Sequence, residues 1–278
     1  MKLRGLAFAI ITSALPLAAS AQSAPQATPS PPSAIGAPII ANDPCTSISA
    51  IVTRPTVTNS VCTVRPNHVL IETGYQNTST AGGGNTVAYP QALLRVGTDL
   101  RGLEAFIVLP TLQRVSSGAA VTSGLTDIAA GLKYVIGATP KFAYGAQVQV
   151  SAPTGSAAFS AGGTTAVYAV NLGYTMSPVF SLGSTLNAES LSIGTQRYAS
   201  FVPTLTLTAS LPNANAVFGE IAEFTHATGP ATPTRTQYLL GVYHDFGQRL
   251  QVDVEAGFSP TVSTGKYRYT GVGMSYYL

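Results

Sequence analysis

Three features of this sequence predict an all-β fold, an antiparallel transmembrane up-and-down β-barrel of about 12 strands. Many runs of about 10 residues alternate between apolar and polar positions, and such a run is long enough to cross a bilayer as a tilted strand. The links between runs are short after even-numbered runs and longer after odd-numbered ones. Only 9% of the residues are charged, yet no apolar stretch beyond the N-terminus reaches the roughly 18 residues that a membrane helix needs.

The N-terminus predicts export. Lys2 and Arg4 precede an apolar run over residues 5–18, and Ala19-Ser20-Ala21 forms a small-residue cleavage site. This arrangement is typical of a secretory signal peptide, which we assign to residues 1–21. An exported barrel of this kind is expected in the bacterial outer membrane.

Two segments separate the signal peptide from the barrel. Residues 22–44 are rich in Pro, Ala and Ser and predict a flexible linker. Residues 45–66 contain the only two cysteines, Cys45 and Cys62. In an exported protein such a pair predicts a disulfide, worth about 3 kcal/mol on the chain-entropy model. A metal site is a poorer interpretation, because no histidine or carboxylate cluster lies nearby. We expect residues 45–66 to form a stapled periplasmic segment.

The barrel itself is predicted over residues 67–278, and residues 236–258 show its pattern most clearly. Leu250, Val252 and Val254 alternate with Gln251 and Asp253, so that the two sets lie on opposite faces of one strand. A short Gly-containing link at residues 247–249 joins this run to the preceding one as a hairpin. The twelve predicted runs are 67–77, 87–97, 103–113, 125–137, 140–151, 165–176, 178–190, 199–211, 214–226, 235–247, 249–259 and 267–278.

Soluble all-β folds are the alternatives to a membrane barrel. A soluble sandwich gives no reason for link length to follow parity, whereas short turns on one rim and long loops on the other are typical of outer-membrane barrels. A soluble up-and-down barrel such as a lipocalin could show the parity but usually has fewer strands. The membrane barrel therefore explains more of the sequence.

Four motifs of the chain are VCTVRPNHVLIETGY at 61–75, DIAAGLKY at 127–134, APTG at 152–155 and LGVYHDF at 240–246. Together they resemble a known family, the transporter-like outer-membrane β-barrels of the MetA pathway of phenol degradation. The resemblance implies uptake of hydrophobic or aromatic compounds, and it brings no catalytic residues. One departure is the C-terminus: Gly273 and Tyr276 fit the signal that the outer-membrane assembly machinery reads, but Leu278 replaces the usual final aromatic residue.

Charged residues in phase with the polar face are the candidate functional residues. If Val252 faces lipid, these residues line the lumen, where rings of charge set ion preference. The alternative is that they pair across neighbouring strands and stiffen the wall. The predicted lumen-lining residues are Glu72, Arg95, Asp127, Lys133, Lys141, Glu189, Asp245, Asp253 and Glu255.

Catalysis is not predicted. His244 and Asp245 are adjacent on a strand and point to opposite faces, so they cannot form a His-carboxylate relay. No cofactor or metal site is expected. The expected partners are outer-membrane lipid, a small-molecule solute and the assembly machinery. Nucleic acid is excluded as a partner because the net charge is only +3 and no basic run occurs; an oligomer stays open.

The predicted function is a channel or transporter-like protein for passive passage of small solutes. Two alternatives remain. One is a structural or adhesive barrel whose lumen is closed, and the other is a membrane-embedded hydrolase.

Overall fold

The computed structural model of the protein describes residues 43–80, 83–226, 229–260 and 267–278. The predicted signal peptide and most of the predicted linker lie outside these residues. Two short helices, a 3₁₀ turn at Pro44–Thr46 and α1 at Ile48–Ile51, precede a series of strands. The strands are β1 Val69–Thr80, β2 Gly84–Tyr89, β3 Leu93–Gly97, β4 Leu103–Val108, β5 Leu112–Ser117, β6 Ala120–Leu125, β7 Ile128–Ala138, β8 Phe142–Ala152, β9 Thr165–Thr175, β10 Phe180–Ile193, β11 Gln196–Leu211, β12 Asn215–Phe224, β13 Arg235–Phe246, β14 Leu250–Ser259 and β15 Tyr267–Tyr277.

The strands form one antiparallel sheet that closes on itself. Each of β7 to β15 pairs with the next strand in the chain, and β15 pairs with β1 from Leu70↔Tyr277 to Thr80↔Tyr267. Closure removes the free sheet edges, whose unpaired N–H and C=O groups would be costly in hydrocarbon. The predicted closed antiparallel barrel is confirmed. Within the described residues, no helix is long and apolar enough to cross a membrane.

The barrel has 12 strands because three of them are interrupted. β2 and β3 both pair with β1, β4 and β5 pair with β3 and β2, and β6 and β7 pair with β5 and β4. Each couple is therefore two halves of one barrel strand. The interruptions lie side by side at Pro90, Pro110 and Thr126. A proline cannot donate to the ladder, which explains the first two breaks.

The links contain corrections to the sequence prediction. The predicted long link at residues 116–124 is largely the β5–β6 hairpin, and the one at 192–198 is a turn between β10 and β11, which end and begin at Ile193 and Gln196. Serine, threonine and glycine there extend strands beyond the bilayer. The link after β8, at residues 153–164, is long as predicted.

The outer surface of the barrel is apolar. Leu240 is 67% exposed, Tyr168 58% and Val254 51%, and the residue that follows each of them is buried. Val252 also points outward, which is the orientation that the sequence prediction assumed. Such a band of exposed apolar side chains is what a lipid-facing wall requires. Six aromatic residues of the strands are exposed on this surface: Tyr134, Tyr144, Tyr168, Tyr174, Phe180 and Phe201.

Candidate functional site

A stapled segment, residues 43–66, lies inside the barrel; we call it the lumen segment. The predicted disulfide joins Cys45 to Cys62. The segment has a small apolar core in which Ile51, Val61 and Val64 are buried together with Leu70 of β1. The sequence predicted a periplasmic appendage here. Instead, the segment's polar contacts reach inward-facing side chains of strands on opposite sides of the barrel, as the next paragraphs describe.

Arg95 of β3 is the centre of the first contact region. Its Nη1 lies 2.8 Å from Glu72 Oε1, and its Nε and Nη2 each lie 2.9 Å from the two oxygens of Glu104. Lys133 Nζ of β7 lies 3.3 Å from Glu104 Oε1. All four side chains are at most 2% exposed. Two cations and two anions therefore compensate one another, as buried charges must.

The same cations hold the lumen segment by its carbonyl oxygens. Arg95 donates to Ile51 O at 2.6 Å and to Cys62 O at 3.0 Å. Lys133 donates to Ser60 O at 3.1 Å. The network thus bonds to both arms of the stapled loop. A fork-shaped guanidinium suits this role, because it presents five donors in fixed directions.

Buried glutamates hold the segment by its main-chain N–H groups. Glu72 accepts from the N–H groups of Thr53 and Arg54 at 3.0 and 2.8 Å. Glu220 of β12, on the far wall, accepts from Val57 and Thr58, both at 2.9 Å. Hydrogen bonds to a carboxylate are about twice as strong as neutral ones.

Side chains of two further strands also accept hydrogen bonds from the lumen segment. Glu104 accepts from the N–H of Val64 at 2.8 Å. The Thr185 hydroxyl oxygen of β10 accepts from the N–H of Asn59 at 2.8 Å. These bonds satisfy donors of an irregular segment that has few partners of its own.

Arg54 lies against the wall where the first and last strands, β1 and β15, pair. Its Nη2 lies 3.4 Å from Asp253 Oδ1 and 3.9 Å from Glu255 Oε1. The guanidinium packs directly on Gly74 and Gly273, which face each other across the β1–β15 pair. A Cβ at either glycine would collide with it. Glycine is required here because the arginine approaches the backbone so closely.

Two of the cavities beside the lumen segment adjoin at one of its residues. The upper cavity, of about 360 Å³, lies toward the long loops and is lined by Gln91, Phe106, Lys133, Gln147 and Gln149, among others. The lower cavity, of about 190 Å³, lies between the segment and the wall at the short-turn rim. Its wall residues include Lys141, Ala143, Gly173 and Gly183. Asn59 of the lumen segment lines both cavities.

Five of the nine predicted lumen residues form hydrogen bonds or ion pairs with the lumen segment: Glu72, Arg95, Lys133, Asp253 and Glu255. The other four continue the inward phase of their strands, and one of them, Asp245, also lies beside Ser49 of the segment.

Of these four, Asp245 accepts from Gln251 Nε2 at 2.8 Å. Lys141 is exposed at the short-turn rim, and Glu189 is half-buried on β10. Asp127 precedes β7 at the long-loop rim, level with the end of β8. The predicted residues therefore do not form a single ring.

Asp127 anchors the long loop of residues 153–164. Its carboxylate accepts from the N–H groups of Gly155 and Ala161 at 2.8 and 2.9 Å. Desolvation raises the pKa of this carboxyl, but hydrogen bonds from Ala161, Gly155, Ser160 and Thr154 outweigh it and hold the pKa below its ordinary value. The ionised form is therefore the one that the folded loop binds.

Sequence reasoning missed three residues of this site: Arg54, Glu104 and Glu220. Phe106 and Phe218 are buried on the same inward faces as Glu104 and Glu220. An aromatic residue at these positions made the inward face look apolar in the sequence. A stricter count of positions along β12 would have found Glu220, since small Ala216 and Ala222 share its phase. Nothing in the local sequence marks Arg54. Among the described residues, no group of three or more His, Cys, Asp and Glu side chains is placed to hold a metal ion.

A closed 12-stranded barrel with a lipid-facing exterior and a polar, occupied lumen defines the class of outer-membrane β-barrels. Two solved structures share this fold. The COG4313 outer membrane channel from Pseudomonas putida F1 has a TM-score of 0.61 and 16% identity, over 82% of this chain and 100% of that one. The NanC porin has a TM-score of 0.53 and 10% identity, over 74% of this chain and 98% of that one.

The sequence identifies the family within this class. Residues 52–278 match the model of the family described as "Putative MetA-pathway of phenol degradation", and the chain belongs to that family. The resemblance seen in the four motifs is confirmed. The match begins inside the lumen segment, so most of that segment is part of the family pattern. No curated protein matches this sequence.

Proposed function

We propose that this protein is an outer-membrane channel for the passive passage of small solutes. One observation carries the proposal: cavities with both apolar and hydrogen-bonding linings lie beside the lumen segment, within a barrel whose wall is closed. The two structural neighbours, whose names describe a channel and a porin, support it. The lumen segment restricts the passage to the space beside it.

The lining favours small solutes that form hydrogen bonds. Gln147 and Gln149 present amide groups to the upper cavity, and the charges of Arg95 and Lys133 are balanced by Glu72 and Glu104. Such a wall replaces part of the hydration of a polar solute without retaining it. An aromatic compound with a hydroxyl group fits this chemistry better than a hydrocarbon does. The family name supports aromatic solutes.

The test is single-channel conductance of the refolded mature protein in a planar bilayer. Small, discrete steps are expected because the lumen segment narrows the path. Neutralising Asp253 and Glu255 as Asp253→Asn and Glu255→Gln should leave the Arg54 charge unpaired and shift ion preference toward anions. The matched control is Glu223→Gln, since Glu223 is exposed near the end of β12 on the outward phase of that strand.

Silence from a folded, inserted barrel would contradict the proposal. It would favour the alternative, a structural or adhesive barrel closed by its lumen segment. Loss of adhesion on deletion of residues 153–164, with no flux in either form, would then identify that role.

We propose no catalytic activity for this chain. The inward Tyr243 and outward Val242 place His244 and Asp245 on opposite faces, and His244 Nδ1 lies 2.9 Å from Asn215 Oδ1. Hydrolysis of an ester that is lost on changing one lumen residue would refute this. Recognition of the C-terminal strand by the assembly machinery, and any oligomer, remain predictions.

A further inference from the structure

The position of Asn59 bears on how a solute passes the lumen segment. Of the residues that line the two cavities, Asn59 is common to both. The upper cavity meets it beside Lys133 and Gln147, and the lower cavity meets it beside Ala143 and Gly173. The two cavities therefore adjoin at this residue.

The wall beside this route is built from small residues. Ala143 of β8, Gly173 of β9 and Gly183 of β10 line the lower cavity on three successive strands. A Cβ on Gly173 would lie 3.0 Å from Val61 Cγ1, and one on Gly183 would lie 3.3 Å from Thr58 Cγ2. At these two glycines the segment therefore packs against the wall and leaves almost no room for a further methyl group. The lumen segment here supplies the opposite wall.

The main chain of Asn59 is fixed while its side chain is available. Its N–H donates to Thr185 Oγ1 at 2.8 Å, and its carbonyl oxygen accepts from the same hydroxyl at 3.5 Å. Both bonds run through the backbone, and within the described residues the carboxamide has no hydrogen-bond partner. Beside it, Asn171 Oδ1 accepts from the same Thr185 hydroxyl at 3.1 Å, which fixes the donor and acceptor of this anchor.

We propose that Asn59 is the selectivity-determining constriction, and that small neutral hydrogen-bonding solutes pass between the two cavities beside its carboxamide. This inference rests on the proposed channel function. Neutral solutes are favoured because Arg95 and Lys133 are already paired with carboxylates. A fixed backbone with a free amide sets the width of the path and offers one donor and one acceptor to the passing molecule.

Three substitutions at Asn59 test this, because none removes a hydrogen bond of the folded protein. The assay is swelling of proteoliposomes in glycerol, urea, arabinose and sucrose, with conductance in parallel. Asn59→Ala should raise the swelling rates about twofold or more and extend them to larger solutes, and Asn59→Phe should lower them by a similar factor. Asn59→Asp, with nearly the same shape, should shift the reversal potential in a KCl gradient toward cation preference.

The control is Gln248→Glu, which adds the same charge at an exposed position in a short turn. It should leave the reversal potential unchanged. Heat-modifiable migration on gels checks that each barrel is folded. A wild type that conducts, but with swelling and reversal potential unaffected by all three Asn59 substitutions, would overturn this inference alone. A folded wild type that neither conducts nor swells would overturn the proposed channel as well.

Discussion

Removing the carboxylate of Glu220 should release the tip of the lumen segment. This side chain accepts from the N–H groups of Val57 and Thr58 at 2.9 Å each, and from the Thr206 hydroxyl at 2.7 Å. Glu220→Ala leaves both main-chain donors without an acceptor. A hydrogen bond to a charged group contributes about 1.5–3 kcal/mol, so that two bonds set a range of about 3–6 kcal/mol.

Water can enter the lumen and replace part of this loss, so the lower end, about 3 kcal/mol, is the expected effect. Since about 1.4 kcal/mol corresponds to a tenfold change, the undocked population should rise about 100-fold. Hydrogen exchange measures this directly, as a loss of protection at the amides of Val57 and Thr58. Conductance should show more frequent and larger openings.

Glu223→Ala is the matched control for this experiment. Glu223 lies three residues further along β12 and is exposed, so its loss should leave the amide protection of residues 57–58 unchanged. Glu220→Gln should give an intermediate loss, because an amide oxygen still accepts but carries no charge. Unchanged protection in Glu220→Ala, or equal losses in Glu220→Ala and Glu223→Ala, would refute the argument that carboxylates hold the segment.

Three other predictions follow from the same contacts. Replacing both cysteines, as Cys45→Ser and Cys62→Ser, opens a loop with a sequence separation of 17; it should destabilise the docked segment by about 3 kcal/mol and increase current noise, while unfolding of the barrel measured by gel migration stays unchanged. Gly273→Ala should push Arg54 away from Asp253 and reproduce part of the cation-directed shift in reversal potential of Arg54→Ala, whereas Gly219→Ala, whose added Cβ would lie 3.9 Å from Leu240, should have no effect. Because the folded pKa of Asp127 is lowered, its stabilisation of the long loop is present above the unfolded pKa of about 4 and is lost as pH falls through the folded value; amide exchange at Gly155 and Ala161 should accelerate there, and a loop equally protected in Asp127→Asn at pH 7 would contradict this.

The strand pattern could be predicted because a membrane wall imposes it residue by residue. The alternation from Leu250 to Phe258 assigns each side chain to lipid or lumen, and the structure confirms this with Val252 and Val254 outside and Asp253 and Glu255 inside. The hairpin at residues 247–249 followed from local chain chemistry as well. These features depend on neighbours in sequence, which is what sequence reasoning can see.

The position of the lumen segment could not be predicted in the same way. Its contacts are made by main-chain N–H and C=O groups, which every residue carries and which leave no signature in the sequence. Glu72 and Glu220, which receive them, lie 148 positions apart in the chain and on different walls. The charge of Glu72 suggested a lumen lining and Glu220 was missed, and only the fold shows that the lining is occupied by the chain itself.

The contacts of Arg54 depend on the order in which the strands of the barrel pair. Gly74 belongs to the first strand and Gly273 to the last, and the two meet only where β1 pairs with β15. Asp253 is contributed by the penultimate strand. Before the barrel closes, the arginine has only the Gly74 half of its floor, so the place of Arg54, a residue synthesised early, is completed last. Binding of Arg54 there thus marks a closed wall, and a molecule in which β1 and β15 were wrongly paired would leave this arginine without its partners.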